Sequence, residues 1–156
     1  RSPADMNLGI YESCNAYFAN VYRKIMDKYD SPAEGMDIWS KHIKSFGLGN
    51  YLNNDLSVGQ PGKVPTAKTY DRGYGKSKWY TTFTISNAIG QGEILTTPIQ
   101  LANITATVAN RGHFYTPHII KKIGSKSLKR KPQFLRFNFS LSLCEQMNEN
   151  LGLSSL

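Results

Sequence analysis

The sequence predicts a mainly α domain with few short strands, and three observations carry that reading. Apolar residues recur at helical spacing from residue 14 to residue 25 and again from 38 to 46. Two helix starts are fully punctuated, with a Ser or Thr cap, then Pro, then Glu or Gln: Ser31-Pro32-Ala33-Glu34 and Thr97-Pro98-Ile99-Gln100. Strand-like sequence is confined to "HFYTPHII", residues 113–120, and Pro117 weakens even that run.

The first helix is expected from Ser13 to about Lys28 or Tyr29. Ser13 would be its cap, and Cys14, Tyr17, Phe18, Val21 and Ile25 its core face. The second begins after Ser31, buries Ile38, Trp39, Ile43 and Phe46, and stops at Gly47. Residues 47–77 are crowded with Gly, Pro, Asn and Asp and predict an irregular surface loop packed along the helical part, not a helix. The third helix, Ile99 to Asn110, is apolar or small nearly all round, which predicts burial. Ala102, Ala106 and Ala109 would let another element approach it closely, and Gly112 closes it. We expect the domain to end near 124 and residues 125–156 to form a basic, weakly patterned tail.

Composition narrows the function. The chain has 156 residues, 40% hydrophobic and 19% charged, which fits one globular domain. No apolar run approaches the roughly 20 residues of a membrane span. The chain opens "RSPADMNLG", without an initiating Met, and reads as a piece of a longer protein. The net charge of +8 is uneven: no acid lies between Glu93 and Glu145, whereas Arg111, Lys121, Lys122, Lys126, Lys129, Arg130, Lys131 and Arg136 do. That stretch reads either as a solvated basic surface or as a patch for glycan, acidic polymer or a protein partner. No aromatic stacking pattern or zinc-finger spacing points to nucleic acid. Cys14 and Cys144 make no disulfide framework. His42, His113 and His118 have no partners at ligand spacing, so neither a metal nor a cofactor is expected. "RGYGKS" and "GQG" lack the strand-to-helix context of a phosphate loop.

The remaining candidate is Ser13-Cys14-Asn15. Residues two apart on a helix point in nearly opposite directions, whereas on extended backbone they share a side. Ser13 and Asn15 can serve one cleft only where the chain enters a helix, with Cys14 turned inward. On these residues alone, a capped helix with a polar neighbour is the commoner explanation of the triplet, since Ser is among the preferred caps.

"SCN" matches the S-x-N motif of penicillin-recognising serine transpeptidases. The match extends through "FGLG", "GKVPT", "AIGQGEILTTPIQLANITATVANRG" and "PHIIK". Over residues 8–123 the chain resembles the transpeptidase domain of class B penicillin-binding proteins, of the cell-elongation type. The resemblance implies the helical part of an α+β fold. It implies an enzyme at the periplasmic face of the bacterial inner membrane, anchored by an upstream segment. Such an enzyme cross-links peptidoglycan stem peptides, is acylated by β-lactams, and works with a glycan polymerase and elongation-complex proteins. Ser13 would relay a proton near the nucleophile's lysine, and Asn15 would contact the substrate amide. The family's nucleophile lies in S-x-x-K, and its carboxylate-binding strand carries K-T-G or K-S-G. Neither motif occurs in this chain; Lys68-Thr69-Tyr70 lacks the Gly. The polypeptide is therefore expected to be catalytically silent by itself.

Overall fold

The computed structural model describes residues 5–55 and 59–135. Arg136, Cys144 and the far end of the expected tail lie outside the described residues. In chain order the elements are α1 (Met6–Tyr11), α2 (Asn15–Met26), α3 (Pro32–Ser45), α4 (Ala67–Tyr74), the single-turn α5 (Thr81–Thr84) running into a 3-10 turn (Ile85–Ile89), and α6 (Pro98–Ala109). Four short strands follow: β1 (His113–Tyr115), β2 (Lys122–Ile123), β3 (Lys126–Ser127) and β4 (Pro132–Phe134). β1 pairs antiparallel with β4, with Phe114 opposite Gln133, and β2 pairs antiparallel with β3. The expectation of a mainly helical architecture with few short strands holds. The 124/125 boundary falls in the turn between β2 and β3.

Hydrophobic burial centres on Tyr22 and Met26 of α2, Met36 of α3, Ala67 and Tyr70 of α4, and Trp79. Trp39, Ala33, Ile85 and Ala88 pack around them, and the Tyr22 and Trp39 rings meet edge to face at 5.5 Å. This differs from the expected core faces. On α2 the anticipated Cys14, Tyr17, Phe18, Val21 and Ile25 are half-buried, and Tyr22 and Met26 go deepest. On α3 Met36, Gly35 and Ser40 are buried, whereas Ile38, Trp39, Ile43 and Phe46 are half-buried. The reason is close approach. Gly35 lets Tyr29 and Met26 come onto α3, and a Cβ there would lie 3.1 Å from Tyr29 and 3.3 Å from Met26. That rotates α3 toward its glycine side. The α3 cap is as expected: Ser31 Oγ accepts the Glu34 N–H at 3.2 Å.

The 47–77 stretch is not all loop; it contains α4. The start signal is a capping box built from two threonines, in which Thr66 and Thr69 each accept the other's backbone N–H. Asp37 of α3 adds a carboxylate that accepts the Ala67 N–H at 2.8 Å. The buried side chains Ala67 and Tyr70 then hold the helix down despite Gly73 within it.

α6 starts as punctuated, with a Thr97–Gln100 capping box and Pro98 in the first turn. Its packing is the reverse of the expectation. Gln100, Asn103 and Thr107 are buried, whereas Ile99, Leu101, Val108, Ala102, Ala106 and Ala109 are exposed. The inward face meets backbone carbonyls of the Phe46–Asn50 segment and of Pro61. Gln100 Nε2 donates to the carbonyls of Gly47 (3.2 Å), Asn50 (3.0 Å) and Pro61 (2.8 Å), and Asn103 Nδ2 to that of Phe46 (3.2 Å). Gly62 completes the seam. At φ +65° it lies so close to Leu95 that an added Cβ would fall 2.3 Å from that carbonyl oxygen.

The strand expected over 113–120 survives only as His113–Tyr115. Beyond Pro117 the chain is pinned instead by Asp55, whose carboxylate accepts the N–H groups of Ile119 and Ile120, each at 2.9 Å.

Candidate active site

Two packed helices make a corner, with Ser13-Cys14-Asn15 at its apex. α1 opens with Asp5, whose Oδ1 accepts the Leu8 N–H at 2.7 Å. It closes in a Schellman arrangement. Ser13 N–H donates to the Ile10 carbonyl at 3.2 Å and Cys14 N–H to that of Gly9 at 2.8 Å, with Ser13 left-handed at φ +48°. Cys14 is extended (φ −74°, ψ 96°) and is the residue that precedes α2. Asn15 is the first residue of α2.

Ser13 is therefore not the cap of α2, as expected from sequence, but the terminating residue of α1. Cys14 holds the cap position and makes no side-chain capping bond. The triplet does straddle a helix entry, and both Ser13 and Asn15 are exposed, with Cys14 half-buried between them. Ser13 Oγ has no hydrogen-bond partner among the described residues.

The corner is tight because Gly9 is buried against Tyr17. A Cβ on Gly9 would come within 2.6 Å of Tyr17 Cδ1 and 2.8 Å of Tyr17 Cγ, so no larger residue fits without moving the ring. Neither α1 nor Gly9 was read from the sequence. The available signal was a glycine inside the short run "MNLGIY", one turn before the triplet.

Beneath α2 lies a buried polar network that sequence reasoning also missed. Tyr22 Oη donates to Thr84 Oγ1 at 2.8 Å, and Thr84 Oγ1 donates in turn to the Thr81 carbonyl at 2.8 Å. Tyr70 Oη donates to Glu93 and accepts from Asn87 Nδ2 at 2.7 Å. Burial pushes both phenols above their ordinary value, and the bond to Glu93 raises Tyr70 further. Both stay protonated and act as donors, which fixes α2 against α5, and α4 against Asn87 of the 3-10 turn and Glu93. Among the described residues no cluster of His, Cys, Asp and Glu could hold a metal ion, and no helix is long and apolar enough to cross a membrane.

The chain's fold recurs in solved structures. It superposes on Pseudomonas aeruginosa PBP2 in complex with WCK 5153 with a TM-score of 0.68 and 30% identity, over 85% of this chain and 28% of that one. A structure on the coordination of polymerization and crosslinking by a peptidoglycan synthase complex matches with a TM-score of 0.69 and 26% identity, over 94% of this chain and 23% of that one. The architecture is thus that of a transpeptidase domain. The chain belongs to the penicillin binding protein transpeptidase domain family, whose pattern matches residues 1–154. Within it, the relatives are of the penicillin-binding protein 2 type. The peptidoglycan D,D-transpeptidase MrdA of Acinetobacter baumannii is 33% identical over 117 residues, 75% of this chain and 16% of that protein. MrdA of Haemophilus influenzae is 33% identical over 119 residues, 76% of this chain and 17% of that protein. The chain spans about one sixth of the length of these curated relatives.

Proposed function

We propose that this chain is part of a peptidoglycan D,D-transpeptidase that cross-links stem peptides through a serine acyl-enzyme and is inhibited by β-lactams. In that reading Ser13 and Asn15 belong to the catalytic groove. The observation that carries it is the backbone of Ser13. An L-residue is held left-handed at the apex of a glycine-tightened corner, with its hydroxyl exposed and unpaired. Left-handed non-glycine residues recur at functional sites, and of the four among the described residues Ser13 is the one that lies in the S-x-N motif. The relatives named above give the chemistry.

The reaction needs a nucleophile that this chain does not carry. A serine of an S-x-x-K motif attacks the penultimate D-Ala carbonyl of a stem peptide, and its lysine helps to move the proton. Ser13 takes part in that proton relay, and Asn15 donates to the amide backbone of the bound peptide. With no S-x-x-K, K-T-G or K-S-G among its 156 residues, the polypeptide alone is silent. The larger protein acts at the periplasmic face of the inner membrane with a glycan polymerase and elongation-complex partners, held there by an upstream anchor.

Incubation with a fluorescent penicillin tests both halves. This chain should take up no covalent label; labelling would overturn its silence. In a longer polypeptide that carries S-x-x-K and K-T-G, Ser13→Ala should cut acylation strongly, and unchanged labelling would remove Ser13 from the mechanism.

A second reading has one observation in its favour. Lys121, Lys122, Lys126, Lys129 and Lys131 are all exposed on and around the β2–β3 hairpin. A basic module that binds an acidic polymer there would lose affinity steeply as salt rises. Salt-independent binding, or none, would leave the transpeptidase reading alone.

A further inference from the structure

We propose that the groove between α4 and the Lys63–Leu95 bridge binds an oxyanion carrying two or more negative charges. The proposal is independent of the Ser13–Asn15 reading. The groove has a volume of about 450 Å³ and is lined by Lys63, Thr66, Lys68, Thr69, Arg72 and Gly73. Lys68 and Arg72 are four residues apart on α4 and so share one face. Lys63 comes from a different segment, fixed by reciprocal backbone hydrogen bonds with Leu95 at 2.7 and 2.9 Å.

Every polar side chain in the lining can donate. The three cations have no acceptor capacity. Each threonine hydroxyl already accepts a backbone N–H of the capping box, so its own proton is left to donate outward. No carboxylate lines the groove, and the acids on or bonded to α4 are engaged elsewhere, Glu93 by the Tyr70 hydroxyl. Asp71 accepts the Trp79 indole N–H at 2.8 Å, and Asp37 accepts the Ala67 N–H at 2.8 Å. Because Asp37 already occupies the helix N-terminus, the attraction comes from the side chains and not from the helix dipole. Among the described residues none of the three cations forms an ion pair.

The fold does not require this arrangement. Like charges four apart on a helix repel, and the third cation on the facing segment adds to that. An anion would turn the repulsion into attraction, with the Arg72 fork able to grip two oxygens at once. Three cations from two segments match the charge of a diphosphate or a dicarboxylate. Gly73 borders open space, where a Cβ would meet nothing within 4 Å.

The test is a titration of the isotope-labelled 156-residue chain with inorganic pyrophosphate and, separately, with succinate, at ionic strength held constant with NaCl and followed by amide NMR. The Thr66, Thr69 and Gly73 amides should shift together and saturate. Saturation by pyrophosphate alone assigns a phosphate ligand; saturation by succinate alone or by both assigns a carboxylate-accepting site. Lys68→Gln and Arg72→Gln should each weaken binding at least five-fold, and Lys76→Gln, exposed and outside the groove, should leave it unchanged. Lys63→Gln, outside any helix, repeats the test should an α4 variant fail to fold. Shifts that stay linear with neither anion saturating, or equal weakening by Lys76→Gln, would show merely solvated surface cations and overturn the proposal.

Discussion

Ser13 sits where a glycine is the unstrained choice. Left-handed backbone costs an L-residue roughly 1–2 kcal/mol, and its hydroxyl recovers none of that through a bond to the described residues. Ser13→Gly should therefore stabilise the chain by roughly 0.5–1 kcal/mol, the relief of strain less the extra freedom glycine gains when unfolded. Ser13→Ala should change stability by less than about 0.5 kcal/mol, because the side chain caps nothing. Thermal denaturation of the two variants measures both; a loss near 1 kcal/mol in the alanine variant would restore the capping role expected from sequence. The identity of the triplet was legible, as was its place at a helix boundary. Which helix it belongs to was not. A serine before an apolar run has the sequence signature of a cap, whereas a Schellman stop is written in backbone dihedrals and in a glycine four residues upstream.

At the scale of elements, α6 shows how a pattern can be read correctly and placed wrongly. Its ends, its proline and its capping box were all legible. Its apolar bulk pointed to burial, yet the buried stripe is polar: Gln100, Asn103 and Thr107, spaced i, i+3 and i+7. That spacing is as helical as any apolar stripe, but its meaning depends on the neighbour, loop carbonyls that Gln100 and Asn103 supply with donors. α4 was missed for a related reason, because a Thr-Thr capping box and two buried side chains outweigh the local density of Gly and Asp. Gln100→Ala should cost about 2–4 kcal/mol, since three loop carbonyls and the Thr97 N–H lose their partner together. Leu101→Lys, on the outward face, should stay within about 0.5 kcal/mol in this chain. Urea denaturation of the pair distinguishes the two faces, and a large loss for Leu101→Lys would mean that the apolar side of α6 is covered, for example by a second copy.

For the molecule as a whole, the described residues are tied together less by one apolar core than by side chains that reach across long stretches of sequence. Asp55 is the clearest case. The N–H groups of Ile119 and Ile120 hold its carboxyl below the usual carboxylate range, with the Arg130 guanidinium, 3.3 Å away, adding a smaller pull. A carboxyl with a lowered folded-state pKa contributes stability that is fully present above its unfolded value, near 3.9, and is lost as pH falls through the lower folded value. The Ile119 and Ile120 amide resonances should therefore titrate together with a midpoint below about 3.9, and Asp55→Asn should abolish that titration. A midpoint at or above 3.9 would show that the carboxylate is not the anchor. None of this was visible in the sequence, where Asp55 looks like one more turn-forming residue in a glycine-rich run.

The clasp between Asp55 and the 119–120 backbone has a kinetic corollary. It joins positions 64 and 65 residues apart. A ring that wide is entropically costly to close and gains little until both of its rims are already ordered. The β2–β3 hairpin beyond it should thus be the last piece to lock during refolding and the first to be clipped by a lysine-directed protease. Pulsed digestion during refolding from urea should find the lysines at 121, 122 and 126 accessible after those of α3 have become resistant, and the opposite order would mean that the hairpin assembles without its clasp.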